Sequence, residues 1–139
     1  MRKKYISLVL AIILVCTAQF SVPAGAEEIQ PVRPRYTYID AIAANLSINS
    51  STGLATCSGT GYAKGTDDVV SLSVQLQQCK NGNWYTLKAW SGSNTNMAVV
   101  SGQYYVYKGY TYRTKVTETV YDKNGNFLES TSCTHEQTY

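Results

Sequence analysis

Residues 69–90 read VVSLSVQLQQCKNGNWYTLKAW, and this stretch decides the fold. Apolar and polar residues alternate on both sides of Asn81-Gly82, the dipeptide most typical of a two-residue type I′ turn. That turn sorts the facing pairs into an apolar and a polar set: Leu76–Leu87 and Val74–Ala89 on one side, Gln77–Thr86 and Gln75–Lys88 on the other. The stretch therefore predicts a β-hairpin whose dry side packs on a second sheet.

Seven β-rich segments follow one another from residue 36, with short turns rich in Gly, Asn and Ser between them. Their expected bounds are 36–49, 54–63, 69–80, 83–90, 97–107, 110–121 and 126–138. The second segment has only small residues on one side, from Ala55 to Ala63, which predicts close approach of the opposite sheet. We therefore predict an all-β chain, with a single seven-stranded antiparallel β-sandwich over residues 36–139.

The tetrapeptide Lys-Asn-Gly-Asn occurs at residues 80–83 and again at residues 123–126. The second copy is therefore expected to turn like the first. Its register sets three facing pairs: Val116–Cys133, Arg113–Glu136 and Lys115–Thr134. The same register turns Glu118 inward between two valines. A lone buried carboxylate is costly, so either a bulge near residues 117–119 turns Glu118 outward or water reaches the site; we favour the bulge.

Residues 108–126, KGYTYRTKVTETVYDKNGN, resemble the sixth strand and following turn of fibronectin type III and immunoglobulin-like domains. In those domains the sixth strand opens with a tyrosine and alternates apolar residues towards a glycine turn. Tyr112 and Val116 fit that pattern, whereas Thr114 departs from it. Residues 74–87 similarly resemble their third strand and next turn. This resemblance implies an immunoglobulin/fibronectin-III-like sandwich.

Two shorter stretches carry a closer resemblance. LQQCKNGNW at residues 76–84 and KGYTYR at residues 108–113 are similar to a group of small, secreted, uncharacterised proteins of Gram-positive bacteria. The likeness extends over most of residues 46–139. It implies export and a sandwich, and it implies no activity.

The first 26 residues have the pattern of a secretory signal peptide. Basic residues 2–4 precede an apolar run at residues 5–15 and a small-x-small cleavage site at Ala24-Gly25-Ala26. Residues 27–35 hold two of the three prolines and are expected to form a disordered leader. A membrane anchor is the less favoured interpretation, because the apolar run is shorter than the ~20 residues of a span. We predict a secreted, extracellular protein with no membrane span after signal removal.

The charge balance argues against nucleic acid as a partner. Residues 2–4 account for the whole formal charge of +3, so the chain without its signal peptide is formally neutral. No basic patch remains for a phosphate backbone.

Three cysteines follow the signal peptide: Cys57, Cys79 and Cys133. Regular alternation turns Cys57 and Cys133 inward, which makes a disulfide between them the expected pair. A Cys79–Cys133 pair and three free thiols remain open alternatives. The cysteine spacing matches no metal signature, and Asp67-Asp68 lacks the further oxygen ligands of a calcium loop. We therefore predict no metal and no cofactor.

His135 is the only histidine, and it lies two residues from Cys133 on the last strand. No orienting carboxylate or oxyanion feature accompanies the pair, and a strand-end imidazole in solvent is the simpler interpretation. We therefore predict no catalytic residues and a protein that is not an enzyme.

Aromatic residues are the main candidates for ligand binding. The register expected from the Asn81-Gly82 turn places three side chains, Trp84, Lys88 and Trp90, on the outer side of the hairpin. They lie there beside Gln75 and Gln77. Flat rings next to amides are suited to holding sugars or peptides. The alternative is that the indoles cover the sheet ends and the tyrosines are ordinary strand formers.

Two functional hypotheses follow. The first is a monomeric extracellular binding or adhesion module, with an extracellular protein or glycan as partner, bound by the aromatic face or by loops. The second is a structural or accessory extracellular protein that has no small-molecule ligand.

Overall fold

The computed structural model describes residues 35–139, which form seven β-strands and no helix. The strands are β1 (Ile39–Ile48), β2 (Leu54–Ala63), β3 (Val69–Lys80), β4 (Asn83–Thr95), β5 (Met97–Tyr105), β6 (Thr111–Tyr121) and β7 (Phe127–Thr138). The predicted signal peptide and all but the last residue of the predicted leader lie outside the described residues. No helix within residues 35–139 is long and apolar enough to cross a membrane.

The strands form two antiparallel sheets that pack face to face. One sheet has the order β1-β2-β5 and the other β4-β3-β6-β7. Burial alternates residue by residue along β2, β3 and β6, as expected for strands with one face on a core. The predicted all-β architecture of seven antiparallel strands is confirmed.

The central hairpin has the predicted turn but not the full predicted register. Asn81 and Gly82 both have positive φ, at 52° and 78°, as a type I′ turn requires. Lys80 pairs with Asn83 as expected, but the register shifts between Leu76 and Gln77. The expected Leu76–Leu87, Val74–Ala89 and Gln75–Lys88 pairs are therefore wrong: Leu76 faces Lys88, Val74 faces Trp90 and Gln75 faces Ala89.

The extra residue in β4 is Leu87, which forms a β-bulge opposite β3. The bulge changes which residues of β4 face the core. β4 also continues to Thr95, beyond the predicted end of this strand at residue 90. Only Asn96, at φ 63°, separates β4 from β5, and its side-chain amide donates to the carbonyls of Ala63 and Gly65.

The small residues of β2 let the sheets approach closely, as predicted. A Cβ on Gly59 would lie 2.8 Å from side-chain carbons of Val74 and Val116 in the other sheet. A Cβ on Gly61 would lie 2.7 Å from the carboxyl carbon of Glu118. A larger side chain at either glycine would push the sheets apart.

One side of the sandwich is closed by polar side chains of β7. Three of them accept hydrogen bonds from backbone N–H groups of β1 or the residues before it: Glu129 from Thr37, Tyr38 and Ile39, His135 from Leu46, and Gln137 from Ile48. These N–H donations hold the pKa of Glu129 below its usual range. The edge of β1 is therefore covered without another strand.

The second hairpin pairs as predicted but turns differently. Arg113–Glu136 and Val116–Cys133 are facing pairs. The turn is longer than the first, because Oδ1 of Asp122 accepts from the N–H groups of Asn124 and Asn126. These bonds lower the pKa of Asp122.

Glu118 is buried, so the expectation of an outward-turning bulge at residues 117–119 is wrong. The register of β6 stays regular there and shifts only between Val120 and Tyr121. Neither carboxylate oxygen has a hydrogen-bond partner within residues 35–139. Burial, with a smaller effect of Glu129, raises the pKa of Glu118 from 4.5 to about 7. The bare backbone of Gly61 provides the space for this side chain.

The buried carboxyl predicts an unusual pH dependence of stability. The folded state binds the Glu118 proton more tightly than the unfolded chain does, so the free energy of unfolding should fall as the pH rises from 4.5 to about 7. Glu118→Gln stays neutral, and at about pH 8 it should be more stable than the wild type by roughly 1–3 kcal/mol. Urea denaturation at a series of pH values measures both effects.

Glu136→Gln is the matched control, because Glu136 is an exposed carboxylate of β7. It should leave the pH slope unchanged. The lowered pKa of Glu129 acts in a separate window, since its stabilisation is lost only as the pH falls below 4.5. A Glu118→Gln protein with the wild-type slope between pH 4.5 and 7 would contradict the assignment.

Candidate functional site

Trp84 lies on the outer side of the larger sheet, as expected, but the polar groups around it bond to one another. The guanidinium of Arg113 stacks 4.2 Å from the centre of the Trp84 ring, and its Nε donates to Oε1 of Gln77 at 2.7 Å. The Nε2 of Gln77 donates to Gln75 at 3.1 Å and to Thr86 at 3.0 Å. Trp84, Gln75 and Gln77 therefore form one closed cluster with Arg113.

Trp90 is on the other side of the sheet, so the prediction that Trp84 and Trp90 share a face is wrong. The bulge at Leu87 places Trp90 opposite the inward-facing Val74, and the indole packs against the core. A Cβ on Gly102 of β5 would collide with this indole. Lys88 is exposed and faces the inward Leu76 rather than Gln75. The expected aromatic platform is therefore divided between two faces.

The three cysteines are free thiols, and the expected Cys57–Cys133 disulfide is not formed. The strand arrangement gives the reason. Cys57 is on β2, which packs on β3 and β6 and makes no contact with β7, whereas Cys133 is on β7. Burial raises the pKa of both thiols, and the nearby Glu118 raises that of Cys133 further. Both are therefore held as protonated thiols.

His135 is not a free imidazole in solvent, because its Nδ1 accepts the N–H of Leu46 at 3.2 Å. Its role in the described structure is to accept a backbone N–H at the edge of β1. Between Arg35 and Tyr139, no three side chains of His, Cys, Asp or Glu come together in a way that could hold a metal ion.

A tyrosine groove lies at the end of the sandwich where β3 turns into β4. Its volume is about 600 Å³. Its walls come from the central hairpin, the end of β5 and the segment leading to β6: Gln78, Lys80, Leu87, Gln103, Tyr104, Tyr105, Val106, Tyr107 and Tyr110. That volume lies in the range of typical small-molecule and cofactor sites.

A buried tyrosine fixes the segment that carries the groove's rings. The hydroxyl of Tyr112 donates to the carbonyl of Tyr107 at 2.7 Å and accepts the N–H of the same residue at 3.1 Å. The Nε2 of Gln78 donates to the same hydroxyl at 3.2 Å. Burial raises the pKa of the Tyr112 phenol, which keeps it a neutral donor. The segment between β5 and β6 is therefore held rigidly beside the hairpin.

The tyrosines of the groove are exposed although they are large and aromatic. Tyr107 is 81% and Tyr105 67% accessible, and Tyr104 and Tyr110 are exposed as well. The ammonium of Lys80 lies 5.6 Å from the centre of the Tyr110 ring. Among the lining side chains that the structure describes, Lys80 is the only charged one. The groove thus offers flat rings and hydroxyls, the amides of Gln78 and Gln103, and one positive charge.

Sequence reasoning missed this site because it treated the tyrosines as strand formers. A signal was present: residues 103–110 read QYYVYKGY, with four tyrosines in eight residues just before the sixth strand. The sequence pattern could not predict which residues of the central hairpin lie beside these tyrosines. Leu87 of β4 lines the groove together with these tyrosines, although it is distant from them in the sequence.

The hydroxyl of Tyr112 should therefore stabilise the fold measurably. We expect Tyr112→Phe to lower the free energy of unfolding by about 1–3 kcal/mol, because the backbone N–H and carbonyl of Tyr107 lose their partner, the hydroxyl of the buried Tyr112. Tyr110→Phe is the matched control, since its hydroxyl makes no hydrogen bond within residues 35–139, and it should change stability by less than about 0.5 kcal/mol. Equal losses for the two variants in urea denaturation would show that the hydroxyl bonds contribute nothing.

Comparison with known proteins adds no family to these observations. No model of a protein family matches the chain, and no curated protein matches it.

Proposed function

We propose that this chain is a secreted, non-enzymatic binding module that holds an extracellular glycan in the tyrosine groove. The observation that carries the proposal is the cluster of four exposed tyrosines around a groove of about 600 Å³. Exposed tyrosines on a rigid frame provide large contact area at a small cost in side-chain entropy. The frame is rigid here because Tyr112 binds the backbone of Tyr107.

The chemistry of the lining residues favours a glycan over a charged ligand. Aromatic rings can stack on the apolar faces of sugar rings, while phenol hydroxyls and side-chain amides exchange hydrogen bonds with sugar hydroxyls. The groove supplies both kinds of group: the rings and hydroxyls of its tyrosines, and the amides of Gln78 and Gln103. With Lys80 as its single charge, the groove suits a neutral or weakly acidic sugar chain.

Secretion and family are parts of the same proposal. Secretion rests on the signal-peptide pattern of residues 1–26. We further propose that the sandwich is of the fibronectin type III or immunoglobulin-like kind. The sheet orders β1-β2-β5 and β4-β3-β6-β7 support it, as does a tyrosine near the start of β6 that bonds to the backbone five residues upstream. The uncharacterised secreted Gram-positive proteins are the proposed relatives.

A non-catalytic role is supported by the state of the reactive side chains. The thiols of Cys57 and Cys133 have raised pKa values, which makes them poor nucleophiles. The Nδ1 of His135 accepts a backbone N–H and is not directed at either thiol as a base.

A glycan array tests the proposal. We expect the purified protein to bind a subset of extracellular polysaccharides. Tyr105→Ala combined with Tyr107→Ala should weaken that binding at least about tenfold, because two aromatic contacts are lost together. Both side chains are exposed, so the melting temperature should stay within a few degrees of the wild type.

Tyr85→Ala is the matched control, because Tyr85 is 52% accessible and does not line the groove. It should bind like the wild type. Retention of glycan binding by the Tyr105/Tyr107 double variant would overturn the assignment of the site. Binding to an arrayed peptide library, with no glycan retained, would replace the glycan by a protein partner.

A further inference from the structure

The free strand edges of this sandwich differ in how they are protected. Strand edges present unpaired N–H and C=O groups and invite another strand to pair, so they are usually covered, bulged or charged. The side chains of β7 cover the edge of β1. The edge of β4 carries the bulge at Leu87 and the charge of Lys88. β7 itself carries Glu129 and Glu136.

Strand β5 has none of these protections. It is the outer strand of the smaller sheet, and no other strand within residues 35–139 pairs with its far side. Its nine residues read MAVVSGQYY and contain no charge. It contains no bulge in its pairing with β2. Val99 is 58% accessible, and Met97 and Tyr105 are exposed as well.

The register identifies which backbone groups of β5 are unpaired. Leu46 of β1 donates its N–H to β7, so it faces away from β2. In antiparallel sheets each residue directs its N–H and C=O to one side, and the side alternates along the strand. Leu46 pairs with Cys57, and Cys57 pairs with Gly102, so Gly102 bonds to β2. The odd residues of β5, with Ser101 at their centre, therefore face the free edge.

The outer face of the smaller sheet is also free of charge beside this edge. Thr56, Ser58 and Thr60 of β2 lie next to Gln103, Ser101 and Val99 of β5. Nothing on this face would repel a copy of itself. A sheet extended from β5 would meet only uncharged side chains along this edge.

We propose that β5 pairs with β5 of a second copy of this chain, in an antiparallel arrangement whose two-fold axis passes through Ser101. The two smaller sheets then form one continuous sheet of six strands. Each Ser101 exchanges its N–H and C=O with the other Ser101. The flanking pairs are complementary in size: Val100 faces Gly102, and Met97 faces Tyr105 of the other copy.

The composition of β5 favours a second copy of this chain as the partner at this edge. A two-fold axis brings the same strand of both copies together, so charges of one sign on that strand would repel one another. β5 carries no charge and therefore allows this pairing. An edge contact of nine residues buries less than the roughly 1,200 Å² of a standard interface. The dimer should therefore be weak and depend on concentration, with a dissociation constant of about 1 µM to 1 mM.

Sedimentation equilibrium of the purified protein over that concentration range tests the proposal. The wild type should pass from monomer to dimer. Ser101→Lys opposes two ammonium groups at the axis, and Ser101→Pro removes the N–H of each copy that points at the edge. Each variant should raise the dissociation constant at least about tenfold. Because the N–H of Ser101 is not bonded to β2, both variants should still fold, which circular dichroism checks.

Ser58→Lys is the matched control. Ser58 is the partner of Ser101 in the neighbouring strand and lies on the same face, one strand away from the edge. It should dimerise like the wild type. Hydrogen exchange gives an independent readout, since the amides of Val99, Ser101 and Gln103 should be protected only at concentrations where the dimer forms.

A wild type that stays monomeric up to about 1 mM would overturn the proposal, and so would a dimer that survives both Ser101 variants. Ser101 does not line the tyrosine groove. Its variants should therefore keep any glycan binding, which separates failure of the dimer from failure of the proposed function.

Discussion

The bulge at Leu87 is the constraint on which the rest of this structure depends. A regular hairpin would place Ala89 opposite Val74 and leave Trp90 on the outer face. Ala89 is too small to fill the space above Gly102, where the indole of Trp90 now packs. By inserting one residue, the chain turns the indole of Trp90 towards β5, where it packs over Gly102. This one-residue shift of register therefore determines how β4 packs on β5.

The sandwich is closed by a different chemistry on each side. Trp90 covers the inner side of β5 next to β4, whereas carboxylate, imidazole and amide groups of β7 bind the N–H groups of β1 on the opposite side. Between them, the glycines of β2 let the two sheets approach until their side chains interlock. The same close approach encloses Glu118, whose carboxyl lies over Gly61 with no partner among the described residues. The close approach of the two sheets thus explains both the tight packing of the core and the unfavourable burial of Glu118.

Much of the fold could be predicted from local patterns. The Asn81-Gly82 turn, seven antiparallel strands and the Arg113–Glu136 register depend on neighbouring residues and were correct. The bulge, the burial of Glu118 and the separation of Cys57 from Cys133 depend on how the two sheets meet, which no local pattern contains. The tyrosine groove was missed for the same reason, since its walls come from the central hairpin and from residues 103–110. Only the run of tyrosines was visible in advance.

Nuclear Overhauser contacts across the central hairpin test this account most directly. The bulge predicts cross-strand contacts of Leu76 with Lys88 and of Val74 with Trp90, together with contacts from the Trp90 indole to the α-protons of Gly102. Contacts of Leu76 with Leu87 and of Val74 with Ala89, with no contact between Trp90 and Gly102, would show a regular hairpin. In that case the indole would lie outside the core, and the described packing of β4 on β5 would be wrong.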